Sequence, residues 1–225
     1  MEAELSQEAE EYLEAIYRLQ KRDGAAKTKE LSEALNVVPG SITNTIEHLE
    51  SHDLVIHEPY RGVKLTKQGE RVALDIIRRH RLAERLLTDV LKAQWSSVHE
   101  DACKLEHALT KNVAALLEER LGYPKYCPHG NPIPTESGLI DEQPCIPLAD
   151  VAIGESYFVV KITDEEQKDL ELLAKKGVFP DVEVQVNKQD SKKVSLIVDG
   201  KDQTLSSEIA AFVMVIKKGE QKGAI

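Results

Sequence analysis

The segment DACKLEHAL, residues 101–109, gathers three metal-binding side chain types within about one helical turn. They are the thiol of Cys103, the carboxylate of Glu106 and the imidazole of His107. Thiolate, carboxylate and imidazole are the groups that bind transition metals, and spacings of three and four residues let one helix offer several of them to one ion. This spacing predicts a metal site.

A second candidate set lies just upstream, where His80 and Glu84 are four residues apart and His99 begins the next predicted helix. A lone His–Glu pair at this spacing is more often a solvated pair, and a lone cysteine is more often a small core residue. Six candidate ligands within 28 positions on two neighbouring helices nevertheless favour two metal sites. The spacing does not identify the ion.

A third set of candidate ligands, Cys127 and His129, lies in the Pro-rich segment CPHG. Two ligands in one loop cannot close a tetrahedral site without further partners, and Cys145 is the only candidate nearby in the sequence. We therefore interpret Cys127 and His129 as linker residues.

The elements that must position these residues begin with a predicted winged helix-turn-helix. Apolar residues recur at helical spacing from Ser6 to Gln20, and Gly24 ends the run. Two short helices, 28–35 and 41–51, are separated by a polar break, which is typical of a helix-turn-helix. An alternating segment then turns through Pro59–Gly62 and returns as VKLT, which predicts a β-wing.

The remaining chain divides into a helical part and a β-rich part. Three more helices are predicted, the first capped by Thr66 and running to about Leu91, the others at Ser97–Leu109 and Lys111–Arg120. A Pro- and Gly-rich linker follows. From Ile146 onward, short β-type segments surround one predicted helix near residues 164–176, which indicates a small β-barrel.

Charge and composition limit the class of protein. The formal net charge is −10, yet residues 17–81 carry twelve basic and nine acidic residues, so a weakly basic region lies within an acidic chain. No apolar segment is long enough to span a bilayer, and the acidic N-terminus does not resemble a signal peptide. We therefore predict a cytoplasmic protein that does not contact membranes. Three cysteines there do not form a disulfide framework.

Several stretches together carry a family resemblance: RRHRLAERLLTDVL, VHEDACKLEHALT and CPHGNPIP, preceded by the winged helix. They resemble the diphtheria toxin repressor family of metal-dependent transcriptional repressors. The resemblance implies a mainly α protein with a small β part that forms a homodimer on double-stranded operator DNA. It implies a winged helix-turn-helix domain at 1–73, a helical metal-binding and dimerisation domain with its linker at 74–145, and an SH3-like domain at 146–225.

The same resemblance assigns metal ligands. It places His80, Glu84 and His99 in an ancillary site, and Cys103, Glu106 and His107 in a primary site. The first helix completes the primary site with Glu11 and Glu14, and the barrel donates Glu166 and Asp169 to the ancillary site. Iron-responsive members usually have Met where this chain has Glu11, whereas manganese regulators tend to have Glu where it keeps Cys103. We predict Fe(II), with Mn(II) as the alternative.

The DNA-binding prediction rests on the second helix of the helix-turn-helix, whose N-terminal residues should enter the major groove. The Asn44 side chain can form two hydrogen bonds with one adenine, whereas Ser41 and Thr43 can reach base or phosphate. The predicted DNA-binding residues are Lys27, Lys29, Gly40, Ser41, Thr43, Asn44, Arg61 and Lys64. The operator is predicted to be palindromic.

Other classes of protein remain as alternatives. Metal ligands also occur in metal-dependent hydrolases, but the sequence has no HExxH, no nucleophile–base pair and no Gly-rich phosphate loop. A metal-storage protein and a protein-binding winged helix are further alternatives. We predict a repressor of metal-homeostasis genes that is not an enzyme and takes no small organic substrate.

Overall fold

The computed structural model describes residues 5–58 and 60–220, which form two compact units. Unit 1 contains residues 5–80, 106–110 and 134–140, and unit 2 contains residues 81–105, 111–133 and 141–220. No helix within the described residues is long and apolar enough to cross a membrane. The domain boundaries at residues 73 and 145 stay predictions.

Unit 1 begins with three helices, α1 Gln7–Asp23, α2 Thr28–Leu35 and α3 Pro39–Ser51. The Ser6 hydroxyl caps α1 by accepting a hydrogen bond from the Ala9 amide at 3.2 Å, and Gly24 ends it with a φ of 83°. The apolar faces of the helices share one core, which includes Tyr12, Leu13, Ile16, Leu31, Ile42 and Leu49. The predicted helix-turn-helix is confirmed.

A two-stranded wing follows, in which β1 Val55–Glu58 pairs antiparallel with β2 Gly62–Leu65. Ala26 and Val63 exchange two backbone hydrogen bonds of 2.9 and 2.8 Å, which hold the wing against the segment before α2. Gly62 has a φ of 107°, and a Cβ there would lie 2.6 Å from the Ala26 carbonyl oxygen. Pro59, part of the predicted turn, lies outside the described residues.

The long helix α4, Lys67–Arg85, continues as a π-helical turn over Leu86–Val90. The Thr66 hydroxyl caps it as predicted, because it accepts a hydrogen bond from the Gly69 amide at 3.0 Å. α4 places Arg79 and His80 in unit 1 and Glu84 in unit 2.

Two shorter helices follow, α5 Val98–Glu106 and α6 Lys111–Arg120. The prediction that the first of them extends to Leu109 is wrong by three residues. The Leu109 amide bonds to the Glu106 carbonyl at 3.3 Å and closes a turn, so His107 lies just beyond the helix.

The C-terminal part of unit 2 contains a six-stranded antiparallel sheet of order β3-β8-β4-β5-β6-β7. Its elements are β3 Ile146–Pro147, β4 Ser156–Ile162, α7 Gln167–Lys175, β5 Glu183–Gln189, β6 Lys193–Val198, β7 Lys201–Ser206, α8 Ser207–Phe212 and β8 Val213–Lys217. Alternate side chains of the strands form the core, for example Val184 and Val186. The small SH3-like β domain with one inserted helix is confirmed, whereas β7 and α8 were not predicted.

Candidate metal centres and DNA-binding surface

His107 is the centre of a cluster of acidic and imidazole side chains in unit 1. Its Nδ1 lies 2.6 Å from Glu10 Oε2. Its Nε2 lies 3.2 Å from Glu106 Oε1 and 3.9 Å from Glu11 Oε1. The structure thus brings together Glu106 and His107, which the sequence assigned to one site, and leaves the Glu11 side chain 46% exposed at the edge.

Glu106 is the buried carboxylate of this cluster, with its side chain 2% exposed. Its Oε2 lies 2.5 Å from Nδ1 of His80, which the sequence had assigned to the other site. Burial raises the pKa of Glu106; the hydrogen bond with His80 lowers it, and the negative charge of Glu14 raises it again. Glu14 therefore lies within electrostatic reach of Glu106, and its carboxylate also pairs with Arg18 at 2.6 Å.

Arg79 donates hydrogen bonds to two residues of this cluster. Its Nη2 donates to Glu10 Oε1 at 2.8 Å, and its Nη1 donates to the Glu106 carbonyl oxygen at 2.8 Å. A third contact joins its Nε to Asp75 at 3.3 Å. One buried guanidinium therefore holds a carboxylate of α1 and the backbone end of α5. Sequence reasoning missed Glu10 and Arg79, because nothing local in the sequence shows that their side chains meet beside His107.

A second cluster lies in unit 2 and contains two imidazoles and two carboxylates. His129 Nδ1 lies 3.1 Å from Glu84 Oε1 and 3.5 Å from Glu165 Oε1. His99 Nδ1 lies 2.9 Å from Glu165 Oε2 and 3.6 Å from Glu84 Oε1. Glu84 and His129 are fully buried, whereas the side chains of His99 and Glu165 are 20% and 10% exposed.

The loop that carries His129 is fixed by its own backbone and by strand β4. The Cys127 amide bonds to the Asn131 carbonyl at 2.8 Å, and the His129 carbonyl accepts from the Ile162 amide at 2.8 Å. The Asn131 side-chain amide donates to the Ile162 carbonyl at 2.9 Å and to Glu165 Oε1 at 2.8 Å. Asn131 thus orients one of the carboxylates that face His129.

The ring of His129 is oriented from its other side by Trp95. The Nε2 atom lies 3.0 Å from the Trp95 carbonyl oxygen, which can only accept a hydrogen bond. The two rings also meet edge to face, with centroids 4.9 Å apart. Nδ1 is therefore the nitrogen that faces the carboxylates.

The pKa values of the second cluster reflect a charge balance within a buried site. Burial lowers the pKa of His99, but its hydrogen bonds with Cys103, Glu165 and Glu84 raise it overall to about 11. The pKa of His129 is also raised. Burial lowers it, but the hydrogen bonds with Cys127, Glu165 and Glu84 raise it by more. The pKa of Glu165 is lowered, since its bonds to the imidazoles outweigh its burial and the charge of Glu84.

The donor set of the second cluster fits a divalent transition metal. Imidazole nitrogens and carboxylate oxygens are borderline and hard ligands respectively, and both bind such ions. One ligand atom each of Glu84, Cys127, His129 and Glu165 lies within 4.8 Å of the others. Cys145 is the only candidate nearby in the sequence, but Glu84 and Glu165, from distant segments, lie beside Cys127 and His129.

Cys103 and Glu166, one of the two predicted barrel ligands, have other partners. Cys103 Sγ lies 3.7 Å from Nε2 of His99, one turn earlier on α5. The Glu166 side chain is 61% exposed and pairs with Lys168 at 2.6 Å. Within the described residues, neither Glu166 nor Asp169 joins a group of three or more ligand atoms within 4.8 Å, whereas the neighbouring Glu165 does.

The predicted DNA-binding residues all lie in unit 1 and are at least partly exposed to solvent. Seven are exposed and Ser41 is half-buried, the exposed ones being Lys27, Lys29, Gly40, Thr43, Asn44, Arg61 and Lys64. Arg61 and Lys29 have acidic partners at 3.5 and 3.7 Å respectively, and both pairs are solvent-exposed. Such pairs are weak and release their cations readily.

A winged helix in one chain with buried clusters of metal-binding side chains defines a metal-responsive DNA-binding protein. Three family models match the chain. They are the iron dependent repressor N-terminal DNA binding domain at residues 4–63, the iron dependent repressor metal binding and dimerisation domain at 66–135, and the FeoA domain at 146–217.

The chain belongs to the iron-dependent repressor family, whose members include the diphtheria toxin repressor. It is 31% identical over 227 residues to the iron-dependent repressor IdeR of Mycobacterium tuberculosis, covering 95% of this chain and 99% of that protein. It is 32% identical over 218 residues to the diphtheria toxin repressor of Corynebacterium glutamicum, covering 92% and 95% respectively. The family resemblance inferred from the sequence is confirmed.

Solved structures agree with this assignment. A manganese-dependent transcriptional repressor in complex with manganese superposes with a TM-score of 0.86 at 31% identity, covering 93% of this chain and all of that one. ScaR with bound Zn²⁺ superposes with a TM-score of 0.82 at 29% identity, covering 93% and 99%. The chain is thus a metal-dependent, DNA-binding transcriptional repressor that acts as a homodimer on operator DNA, and it is not an enzyme.

Proposed function

We propose that Fe(II) is the ion that activates this repressor, and that it acts on metal-homeostasis genes. The observation that carries the choice of ion is the donor set of the second cluster, where the Cys127 thiol accompanies imidazoles and carboxylates. Affinity for nitrogen, oxygen and sulfur sites increases from Mn(II) to Fe(II), and thiolate ligands favour the later ion. The thiol of Cys103, next to His99, supports the same choice.

Mn(II) is the second candidate, and the carboxylates proposed for the first site favour it. The carboxylates of Glu11, Glu14 and Glu106 are hard ligands that suit Mn(II). The similarity to a manganese-dependent repressor in complex with manganese adds support.

The ligands that we propose fall into two sites. The first site would use Glu11, Glu14, Cys103, Glu106 and His107. The second would use Glu84, His99, Cys127, His129 and Glu165. His80 stays a predicted ligand whose Nδ1 is bonded to Glu106. Glu165, whose side chain is 10% exposed, supports the second site better than Glu166 or Asp169 do.

The first site would connect metal binding to DNA binding through α1. Glu11 and Glu14 lie on this helix of the winged-helix fold, whereas Glu106 and His107 lie at the end of α5. Shared ligation of one cation would hold the two elements in a fixed relation, and when bound the cation supplies the positive charge that neutralises the carboxylates. The metal-bound protein would then lose less conformational entropy when it binds DNA. Binding of the metal ion and binding of DNA would therefore favour each other.

On the DNA, we propose that α3 enters the major groove and reads a palindromic operator. Asn44 would bond to adenine, and Ser41 and Thr43 would contact base or phosphate. The two recognition helices of the homodimer would lie about 34 Å apart, one turn of B-DNA. The exposed cations Arg61 and Lys64 of the wing would contact phosphates.

The experiment is to titrate operator binding with Fe(II) under anaerobic conditions and with Mn(II), in the wild type and in Cys103→Glu. Fe(II) should activate the wild type at a lower free concentration than Mn(II), and the variant should shift toward Mn(II) because it exchanges a soft ligand for a hard one. A wild type that responds to Mn(II) at the lower concentration would instead establish the manganese alternative.

A further inference from the structure

We propose that Glu10 and Arg79 position the imidazole of His107 for metal binding, a role that rests on the proposed first site. Glu10 is not among the ligands assigned above, yet its carboxylate makes the shortest contact of His107, 2.6 Å to Nδ1. Metal-binding histidines commonly donate their second ring N–H to a carboxylate, which fixes the tautomer and the ring orientation. Glu10 occupies this position.

The contact determines which nitrogen is free to bind. Carboxylates lie at both ring nitrogens, but the Nδ1 contact with Glu10 is the shorter one, 2.6 Å against 3.2 Å between Nε2 and Glu106, so a ring with one hydrogen carries it on Nδ1. The lone pair is then on Nε2, which faces Glu106 Oε1 at 3.2 Å and Glu11 Oε1 at 3.9 Å. Nε2 therefore points toward two of the carboxylates proposed for the first site.

Both oxygens of Glu10 are engaged, one of them by the buried guanidinium of Arg79, so its charge already has a partner within the protein. Oε2 contacts His107, and Oε1 accepts from Arg79 at 2.8 Å. The neighbouring Glu11 is 46% exposed and meets only the edge of the cluster. Because consecutive residues point about 100° apart around a helix, one can face the ring while the other faces the metal.

Arg79 fixes the orientation of Glu10. Its side chain is 7% exposed, and the same guanidinium bonds to Glu10 Oε1 and to the Glu106 carbonyl oxygen, both at 2.8 Å. The planar fork of arginine holds two acceptors in a set geometry, which a lysine ammonium cannot do. Arg79 therefore locates the carboxylate relative to the backbone that precedes His107.

The first test measures the tautomer of His107 in the metal-free protein by ¹⁵N NMR, at a pH where the spectrum shows a ring with one hydrogen. The wild type should show the Nδ1–H form. Glu10→Ala should show a mixture with the Nε2–H form, whereas Glu10→Gln keeps an acceptor and should retain mostly Nδ1–H. An unchanged Nδ1–H form in Glu10→Ala would overturn the proposal.

The second test measures Mn(II) affinity by calorimetry. Glu10→Ala and Arg79→Lys should weaken binding at the first site by about 10–100-fold, with a smaller loss in Glu10→Gln. The control is Glu8→Ala, which removes an exposed carboxylate from the same turn of α1 and should leave the affinity unchanged. Equal affinities in Glu10→Ala and Glu8→Ala would contradict the positioning role.

Trp95 provides an internal control for these variants. It is the one tryptophan of the chain, and its ring contacts His129 of the second cluster. A general loss of folding would change the fluorescence response of Trp95 to Mn(II). We expect the same response in Glu10→Ala, Glu10→Gln, Arg79→Lys and Glu8→Ala. If neither Mn(II) nor Fe(II) changes operator binding by the wild type, the proposed function is refuted. The NMR measurement would still decide the role of Glu10.

Discussion

Gly130 is the position at which one added methyl group should most disturb the second cluster. It has a φ of 83°, and a Cβ there would lie 2.1 Å from the Val160 carbonyl oxygen and 2.9 Å from the Lys161 Cα. A carbon and a carbonyl oxygen approach to roughly 3.3 Å, so Gly130→Ala must move the loop and the strand apart by about 1 Å. His129 is the adjacent residue and would move with the loop.

The size of the effect follows from two contributions. A side chain in the left-handed region costs about 1–2 kcal/mol. Forcing extra atoms into a packed site costs roughly 1–3 kcal/mol more. The free energy of unfolding of Gly130→Ala should therefore fall by about 2–5 kcal/mol. Gly154 is a matched control, because its φ is 85° and nothing lies within 4 Å of an added Cβ; its alanine variant should lose only about 1–2 kcal/mol.

The assay is urea unfolding of both metal-free variants, followed by Trp95 fluorescence, and then a Mn(II) titration with the same signal. Displacement of His129 should weaken the response of Trp95 to Mn(II) by at least about tenfold in Gly130→Ala and leave it unchanged in Gly154→Ala. Equal destabilisation of the two variants, or an unaltered metal response in Gly130→Ala, would refute the argument that the clash displaces a ligand.

Three other variants test separate steps. Asn44→Ala should cost about 1–3 kcal/mol on the preferred operator and relax one base position in a binding selection, whereas equal losses on all sequences would indicate a phosphate contact. Ser6→Ala removes the cap on the Ala9 amide and should lower stability by about 1 kcal/mol in urea unfolding, a loss that Ser6→Asn should not show. Asn131→Ala frees Glu165 and should weaken the response of Trp95 to Mn(II) by about tenfold; unchanged affinity would contradict its orienting role.

The winged helix was predictable because its signals are local. Ser6 and Gly24 mark the ends of α1, and Thr66 caps α4, each through a contact within a few residues along the chain. Apolar spacing then identified the faces that form the core. By contrast, β7 contains mostly polar residues, KDQTLS, and its strand character depends on pairing with β6 at the edge of the sheet.

The second cluster was only partly predictable, because it depends on contacts between distant segments. Glu84 and His99 lie on helices with a recognisable spacing, but their partners His129 and Glu165 come from a loop and from the barrel. The segment CPHG was a visible signal, yet nothing local shows that buried carboxylates face it. The family resemblance selected Glu166, one position away from Glu165, whose side chain is 10% exposed.

The first cluster illustrates the limit set by helix rotation. The family resemblance assigns Glu11 to the site, and the sequence alone does not distinguish a ligand from the neighbouring Glu10. The structure separates them by their contacts, since Glu10 bonds to His107 and Arg79 while Glu11 is half exposed. Such distinctions need the tertiary arrangement of α1, α4 and the end of α5.

The most direct test of the account is the dissociation constant of the wild-type protein for its selected operator, measured by fluorescence anisotropy with a chelator and then with saturating Fe(II) under anaerobic conditions. Coupling between two ligands typically changes affinity by about 5–150-fold. We predict tightening within this range with Fe(II), and its loss in His107→Ala. An operator affinity that is the same with chelator and with either Fe(II) or Mn(II) would contradict metal-dependent repression by this protein.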